Sequence, residues 1–286
     1  MYNELTLTIR IMRYKKITSL SNPHVKEALT ISKRRTGRQS DLLIEGPHPI
    51  EIALASRTHI RKVFFADSSR AKHAELFAQL SSTDAELMET TSQVLTHLSD
   101  TETPQGIAAI ASFKFHDLGE LSLQVNPLMV ICDGIQDPGN LGTIIRTSDA
   151  AGADAVVILP GTCDPLLPKA VRATAGSVFA VPLVFTESGV LLQWFKEKAI
   201  TLFVTDLNAS MSLYEADLRR PLAFALGNEA KGISESLRRT GDVPVRIPLL
   251  GRAESLNVAT SAAICLYEAV RQRGVHSSPL RRSRKY

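Results

Sequence analysis

The chain has 286 residues, 44% of them hydrophobic and 22% charged. That length suits one large domain or two ordinary ones, and the balanced composition excludes whole-chain disorder, collagen or coiled coil. The formal net charge of +4 is unevenly spread: residues 1–72 hold 14 Lys and Arg against 6 Asp and Glu, residues 73–112 hold none against 6, and residues 271–286 hold 6 against none.

The apolar runs at 128–132 and 155–159 fall far short of the roughly 18 residues needed to cross a bilayer. Residues 1–13 lack the unbroken apolar stretch of a secretory signal, so a cytoplasmic protein is expected. Cys132, Cys163 and Cys265 are odd in number and far apart, which points to buried free thiols and not to a disulfide framework or a metal pair.

In chain order, residues 1–16 read as a flexible extension, and Met12 is as natural a start as Met1. Residues 17–112 form a small α/β domain. Its elements are an apolar strand at 42–44, a turn at Glu45-Gly46-Pro47, helical spacing at Ile50, Ala53 and Leu54, and strands at 63–66 and 107–112. The basic cluster Lys33, Arg34, Arg35 and Arg38 suits an anionic polymer, since each neutralised phosphate releases counterions, although a solvated surface would look the same.

Residues 113–126 mix polar and charged residues without a sustained period and are read as a linker. Residues 127–274 carry six strand candidates: LMVIC, AVVIL, VPLVF, TLFVT, LAFAL and VPVRIP. Helical patterns lie between them, among others at 140–151, 187–198 and 255–272, the last with Leu256, Ala259, Ala263, Leu266 and Val270 on one stripe. Alternation of this kind predicts a mostly parallel sheet covered by helices, with the ligand beyond the carboxyl ends of the strands. Residues 275–286 are a basic tail.

Three segments, each following a strand candidate, are unusual for packing alone. In residues 133–147, Pro138 and Gly139 make a turn, Asn140 is a candidate helix cap, and Leu141, Ile144 and Ile145 are a buried stripe. Gly142 admits a close backbone or ligand, and Arg146, one turn on, reaches over that opening or is a plain surface arginine. Residues 226–233, Leu226-Gly227-Asn228-Glu229-Ala230-Lys231-Gly232-Ile233, place a glycine at a strand end but lack Walker spacing. Residues 247–259 run from a strand end through Gly251 into the last helix, where Ser255 or Asn257 is also a candidate cap.

Together, as NxGxxxR, LGNExxG and IPxxGxxxSLNV, these segments resemble the three signature motifs of the SpoU, or TrmH-like, RNA ribose 2′-O-methyltransferases of the SPOUT superfamily. The resemblance spans Asp133 to Leu266. Less specifically, Ser21-Asn22-Pro23-His24-Val25-Lys26 and Leu43-Ile44-Glu45-Gly46 resemble the RNA-binding substrate domain that often precedes this fold. It implies an α/β SPOUT-type parallel sheet with helices on both faces and a deep trefoil knot, working as a homodimer. It further implies S-adenosylmethionine as cofactor and structured RNA as partner, ribosomal RNA before transfer RNA.

By motif position, Arg146 matches the family's catalytic arginine, as base or as orienting group. Asn140, Glu229, Ser255 and Asn257 match other catalytic positions. Gly227, Ile247 and Leu256 match its cofactor contacts, with Leu226, Leu249 and Thr205 beside them. No metal is expected, as no His, Cys and Asp cluster has ligand spacing. The competing reading is a non-catalytic RNA-binding or ribosome-assembly protein that keeps the fold.

Overall fold

A computed structural model describes residues 14–33, 39–99 and 104–274. Residues 1–13, Arg34, Arg35, Arg38 and the basic tail lie outside the described residues.

The amino-terminal domain runs β1 (Lys15–Ile17), α1 (Pro23–Lys33), β2 (Gln39–Glu45), α2 (Pro47–Ala55), β3 (Ile60–Phe65), α3 (Asp67–Lys72), α4 (Ala74–Ser81), β4 (Glu86–Thr90), α5 (Ser92–Leu98) and β5 (Ile107–Lys114). Its sheet has the order β1-β4-β3-β5-β2, with β5 antiparallel to both β3 and β2. Lys15 and Lys16 therefore belong to a strand, inside the stretch expected to be an extension. The reason is local: Ile17 drops its side chain into the core, and backbone pairing with β4 follows.

Within β3, Lys62 is 7% exposed. It donates to Glu27 and lies 3.1 Å from His24 Nδ1, while Arg61 donates to Glu27 at 2.9 Å and to Asp41. Burial opposes ionisation of Glu27, but the two cations outweigh it and hold its carboxyl below the ordinary value.

The linker expectation needs adjusting, since Phe113 and Lys114 finish β5. The chain then crosses to the second sheet, where His116 bridges to Val184.

The carboxyl-terminal domain runs β6 (Leu128–Asp133), α6 (Pro138–Ala150), β7 (Ala155–Ile158), α7 (Pro168–Thr174), β8 (Leu183–Phe185), α8 (Ser188–Lys198), β9 (Thr201–Thr205), β10 (Met211–Ser212), β11 (Leu222–Gly227), α9 (Glu235–Thr240), β12 (Val243–Arg246) and α10 (Val258–Gln272). The seven strands are all parallel, in the order β10-β12-β9-β11-β6-β7-β8.

Every residue of β6 is buried, because alternate side chains serve two layers. Leu128, Val130 and Cys132 pack on the side of α6 and α10, whereas Met129 and Ile131 meet Leu191 and Phe195 of α8. In α10 the buried stripe is Val258, Ala259, Ala262, Cys265, Leu266 and Ala269. Leu256 precedes the helix, and Ala263 and Val270 are only half-buried.

Arg273 closes the domain, donating to the carbonyl oxygens of Asn126 at 2.7 Å and Arg220 at 2.8 Å. The two domains share one apolar core, in which Ile50 and Ala53 of α2 fall in the same cluster as Val178 and Val181.

The Glu27 network generates a pH prediction. A depressed carboxyl pKa stabilises the fold above the unfolded value, here 4.5, and that contribution is lost as pH falls through the native value. Glu27→Gln is expected to be less stable than the parent near pH 7, with the gap narrowing toward about pH 3 in urea titrations. A gap that stays constant with pH contradicts the ion-pair account.

Candidate active site

Because the sheet is parallel, the loops after β6, β9, β11 and β12 all leave from one edge, and three of them carry the unusual segments. A pocket of about 530 Å³ opens there, within the range typical of small-molecule sites. Thr205, Leu226, Gly227, Ile247, Leu249 and Leu256 all line it, together with Glu229, Ser255 and Asn257.

The loop after β11 is folded tightly on itself. Asn228 and Gly232 exchange backbone hydrogen bonds of 2.9 Å, and Asn228 Oδ1 accepts from the N–H groups of Ala230 and Lys231. Gly227 is obligatory here, since a Cβ would lie 2.3 Å from the carbonyl carbon of Gly232. The amide of Asn228 also donates to the Gly134 carbonyl at 2.8 Å, and Asp133 accepts from the Ser234 N–H at 2.6 Å. The first segment is thus tied to the loop after β11 by two hydrogen bonds at the ends of adjacent strands.

Asn140 joins all three segments. Its Nδ2 donates to Glu229 Oε1 at 3.0 Å, and its Oδ1 accepts from Asn257 Nδ2 at 3.0 Å. Asn257 is itself oriented by α10, whose free N–H groups at Ala259 and Thr260 donate to its Oδ1. The helix end therefore decides which way Asn257 faces, Asn257 decides the same for Asn140, and Asn140 presents its donor to Glu229.

Asn140 is not the helix cap that its sequence position led us to expect. Asp137 caps α6, accepting from the Asn140 N–H at 2.9 Å, with Pro138 at the first helical position. Lys169 and this N–H hold the Asp137 carboxyl below its ordinary value. Ser255 caps nothing; its exposed side chain stands in the pocket wall.

Gly142 faces protein: a Cβ would lie 2.3 Å from the Ala170 carbonyl oxygen and 2.6 Å from Ala173 Cβ, so α7 fills the opening that Arg146 was expected to cover. Arg146 is exposed, makes no hydrogen bond or ion pair among the described residues, and does not line the pocket of its own chain. Sequence reasoning missed α7 and Lys169, which donates to Asp137 Oδ2 at 2.6 Å. The Pro168-Lys169 pair at a helix start was the signal available.

Among the described residues, no group of three or more His, Cys, Asp or Glu could hold a metal ion, and no helix is long and apolar enough to cross a membrane. Cys132 and Cys265 are buried and Cys163 half-buried, all as free thiols. Burial pushes Cys163 up to about 11 and Cys265 up to about 12, so neither is a thiolate at neutral pH.

The double role of Asn257 can be separated by substitution. Asn257→Ala is expected to cost about 1 kcal/mol of stability through the lost cap, and Asn257→Asp, which keeps the acceptor, to cost less. Equal losses in thermal unfolding of the two variants would rule out the cap.

Residues 127–267 match the model of the SpoU rRNA Methylase family, and residues 22–109 match the MRM3-like substrate binding domain. A 23S rRNA (guanosine(2553)-2′-O)-methyltransferase of Bacillus subtilis is 34% identical over 255 residues, covering 88% of this chain and 98% of that protein. A 23S rRNA (uridine(2479)-2′-O)-methyltransferase of Streptomyces viridochromogenes is 31% identical, covering 86% of this chain and 88% of that protein. Among solved structures, an AdoMet-bound rRNA methyltransferase from Sinorhizobium meliloti superposes with a TM-score of 0.82 at 30% identity, over 92% of this chain and 99% of that one. With three converging motif loops and similarity along nearly the whole length, the chain belongs to the SpoU rRNA methylase family.

Proposed function

We propose that the chain transfers the methyl group of S-adenosylmethionine to a ribose 2′-hydroxyl of ribosomal RNA in the cytoplasm. The observation that carries this reading is the Asn140 amide bonded to both Glu229 and Asn257 at the rim of a pocket of cofactor size. The pocket fits the cofactor chemically. Its wall at Gly227 is bare backbone, suited to reading an adenine edge, while Leu226, Ile247, Leu249 and Leu256 give apolar faces and Thr205 and Ser255 polar ones.

When bound, the cofactor supplies an electrophilic methyl group. The chain has to align the hydroxyl with it and ease loss of the hydroxyl proton. Asn140, Glu229, Ser255 and Asn257 form the polar rim that positions the ribose. Arg146 acts by orienting the hydroxyl and a neighbouring phosphate, since a guanidinium is a donor with no acceptor and a poor base.

Arg146 stands six residues beyond Asn140, about 9 Å along α6 at 1.5 Å per residue. Exposed and unpaired, it suits a homodimer in which it completes the partner's pocket. Lys33, Arg34, Arg35 and Arg38 then extend the RNA contact onto the amino-terminal domain. After leaving β11 the chain returns beyond β9 to form β12, a crossing that fits the deep trefoil knot expected from the family resemblance.

Arg146→Ala is expected to abolish transfer while leaving cofactor affinity unchanged by calorimetry. Mixed with an inactive Gly227→Ala chain, it should recover about a quarter of wild-type activity, because half the randomly paired dimers carry one intact site. No recovery on mixing places Arg146 in its own chain's site, and lost cofactor binding removes it from the substrate side.

A further inference from the structure

A second cavity, of about 440 Å³, lies between the two domains. One wall is amino-terminal: Glu45 at the end of β2, His48 and Pro49 in the first turn of α2, and Gln105 before β5. The facing wall is Arg172 of α7 and Phe179.

The cleft has a fixed floor. Gly176, at a φ of +100°, sits against α2, where a Cβ would meet Ile52 Cδ1 at 2.7 Å and Pro49 Cα at 3.1 Å. The shared core beneath it keeps the two walls in register.

The walls combine flat apolar faces with hydrogen-bonding edges. Pro49 and Phe179 offer surfaces on which a planar ring can lie. Around them stand the Glu45 carboxylate, which accepts from Ser99 Oγ at 2.6 Å, the exposed His48 imidazole, the Gln105 amide and the Arg172 guanidinium. A splayed nucleobase is recognised by this combination of stacking and edge bonding.

The cleft also connects to the candidate active site. Lys169 and Arg172 are one turn apart on α7. Lys169 donates to Asp137, the cap of the helix that carries Asn140. Cations therefore mark a path from the Asn140 array to the interdomain cleft.

We propose that this cleft takes an unpaired base of the RNA substrate, flanking the nucleotide that is methylated, with the intervening phosphate passing Lys169 and Arg172. This rests on the RNA reading above. Stacking on Phe179 supplies affinity, and Gln105 and Glu45 read the base edge, so the cleft selects which ribose is presented to the pocket.

The test uses the full chain and an unmethylated ribosomal RNA transcript. In the double variant His48→Ala with Gln105→Ala, both exposed residues outside the cofactor pocket, the Kd and KM for RNA should rise about tenfold, as for two lost hydrogen bonds. The kcat at saturating RNA and the cofactor affinity should stay within about twofold, since neither depends on those bonds. Phe179→Leu should weaken RNA binding with the same KM-only pattern.

Unchanged RNA affinity in both variants, or an equal fall in kcat, overturns the proposal. Filter binding keeps the two readings separable. A wild-type chain that binds RNA without transferring methyl sinks the catalytic reading, while the affinity change alone still decides the cleft.

Discussion

The candidate site depends on one side-chain amide. Asn140 has a donor end and an acceptor end, and each is committed to a different loop, Glu229 after β11 and Asn257 before α10. Because the amino end of α10 fixes Asn257, the direction of the whole chain of bonds is set by a helix terminus. A carboxylate at position 140 would face Glu229 with like charge, so Asn is the residue that can serve both neighbours.

Close backbone approach is the second constraint. The loop after β11 passes so near Gly227 that no side chain fits, and α7 passes so near Gly142 that its Ala170 carbonyl occupies the space of a Cβ. The first approach gives the pocket a wall of peptide groups. The second brings Lys169 to the start of α6, and Arg146 is left exposed and outside the lining of its own chain's pocket.

Much of this was legible in the sequence, for physical reasons. The strands β6, β7, β9 and β11 of the second sheet are buried on both faces and read as near-continuous apolar runs. The motif segments follow strands, so their convergence at one edge came from the parallel topology itself. What was illegible is short or non-local. β10 is two residues long, and β1 and β4 carry Lys and Glu on their open faces, which breaks the apolar signal. The cap of α6 was misread because Asn140 drew the assignment that Asp137-Pro138 supports better. Gly142 does admit a close backbone, one of the two occupants its position allowed, but which one was illegible, because its neighbour, Ala170, is 28 residues away and no periodicity points to it. The interdomain cleft pairs residues near 45 and 105 with residues near 175, which only the folded chain brings together.

The most direct test of the account is transfer of labelled methyl from S-adenosylmethionine to ribosomal RNA isolated from cells lacking this protein, followed by alkaline hydrolysis. Label retained in one alkali-resistant dinucleotide of ribosomal RNA is the predicted result, because a methylated 2′-oxygen cannot attack the adjacent phosphate. Label released with ordinary mononucleotides would place the methyl group on a base and contradict ribose methylation, and absence of incorporation despite bound cofactor and RNA would contradict catalysis itself.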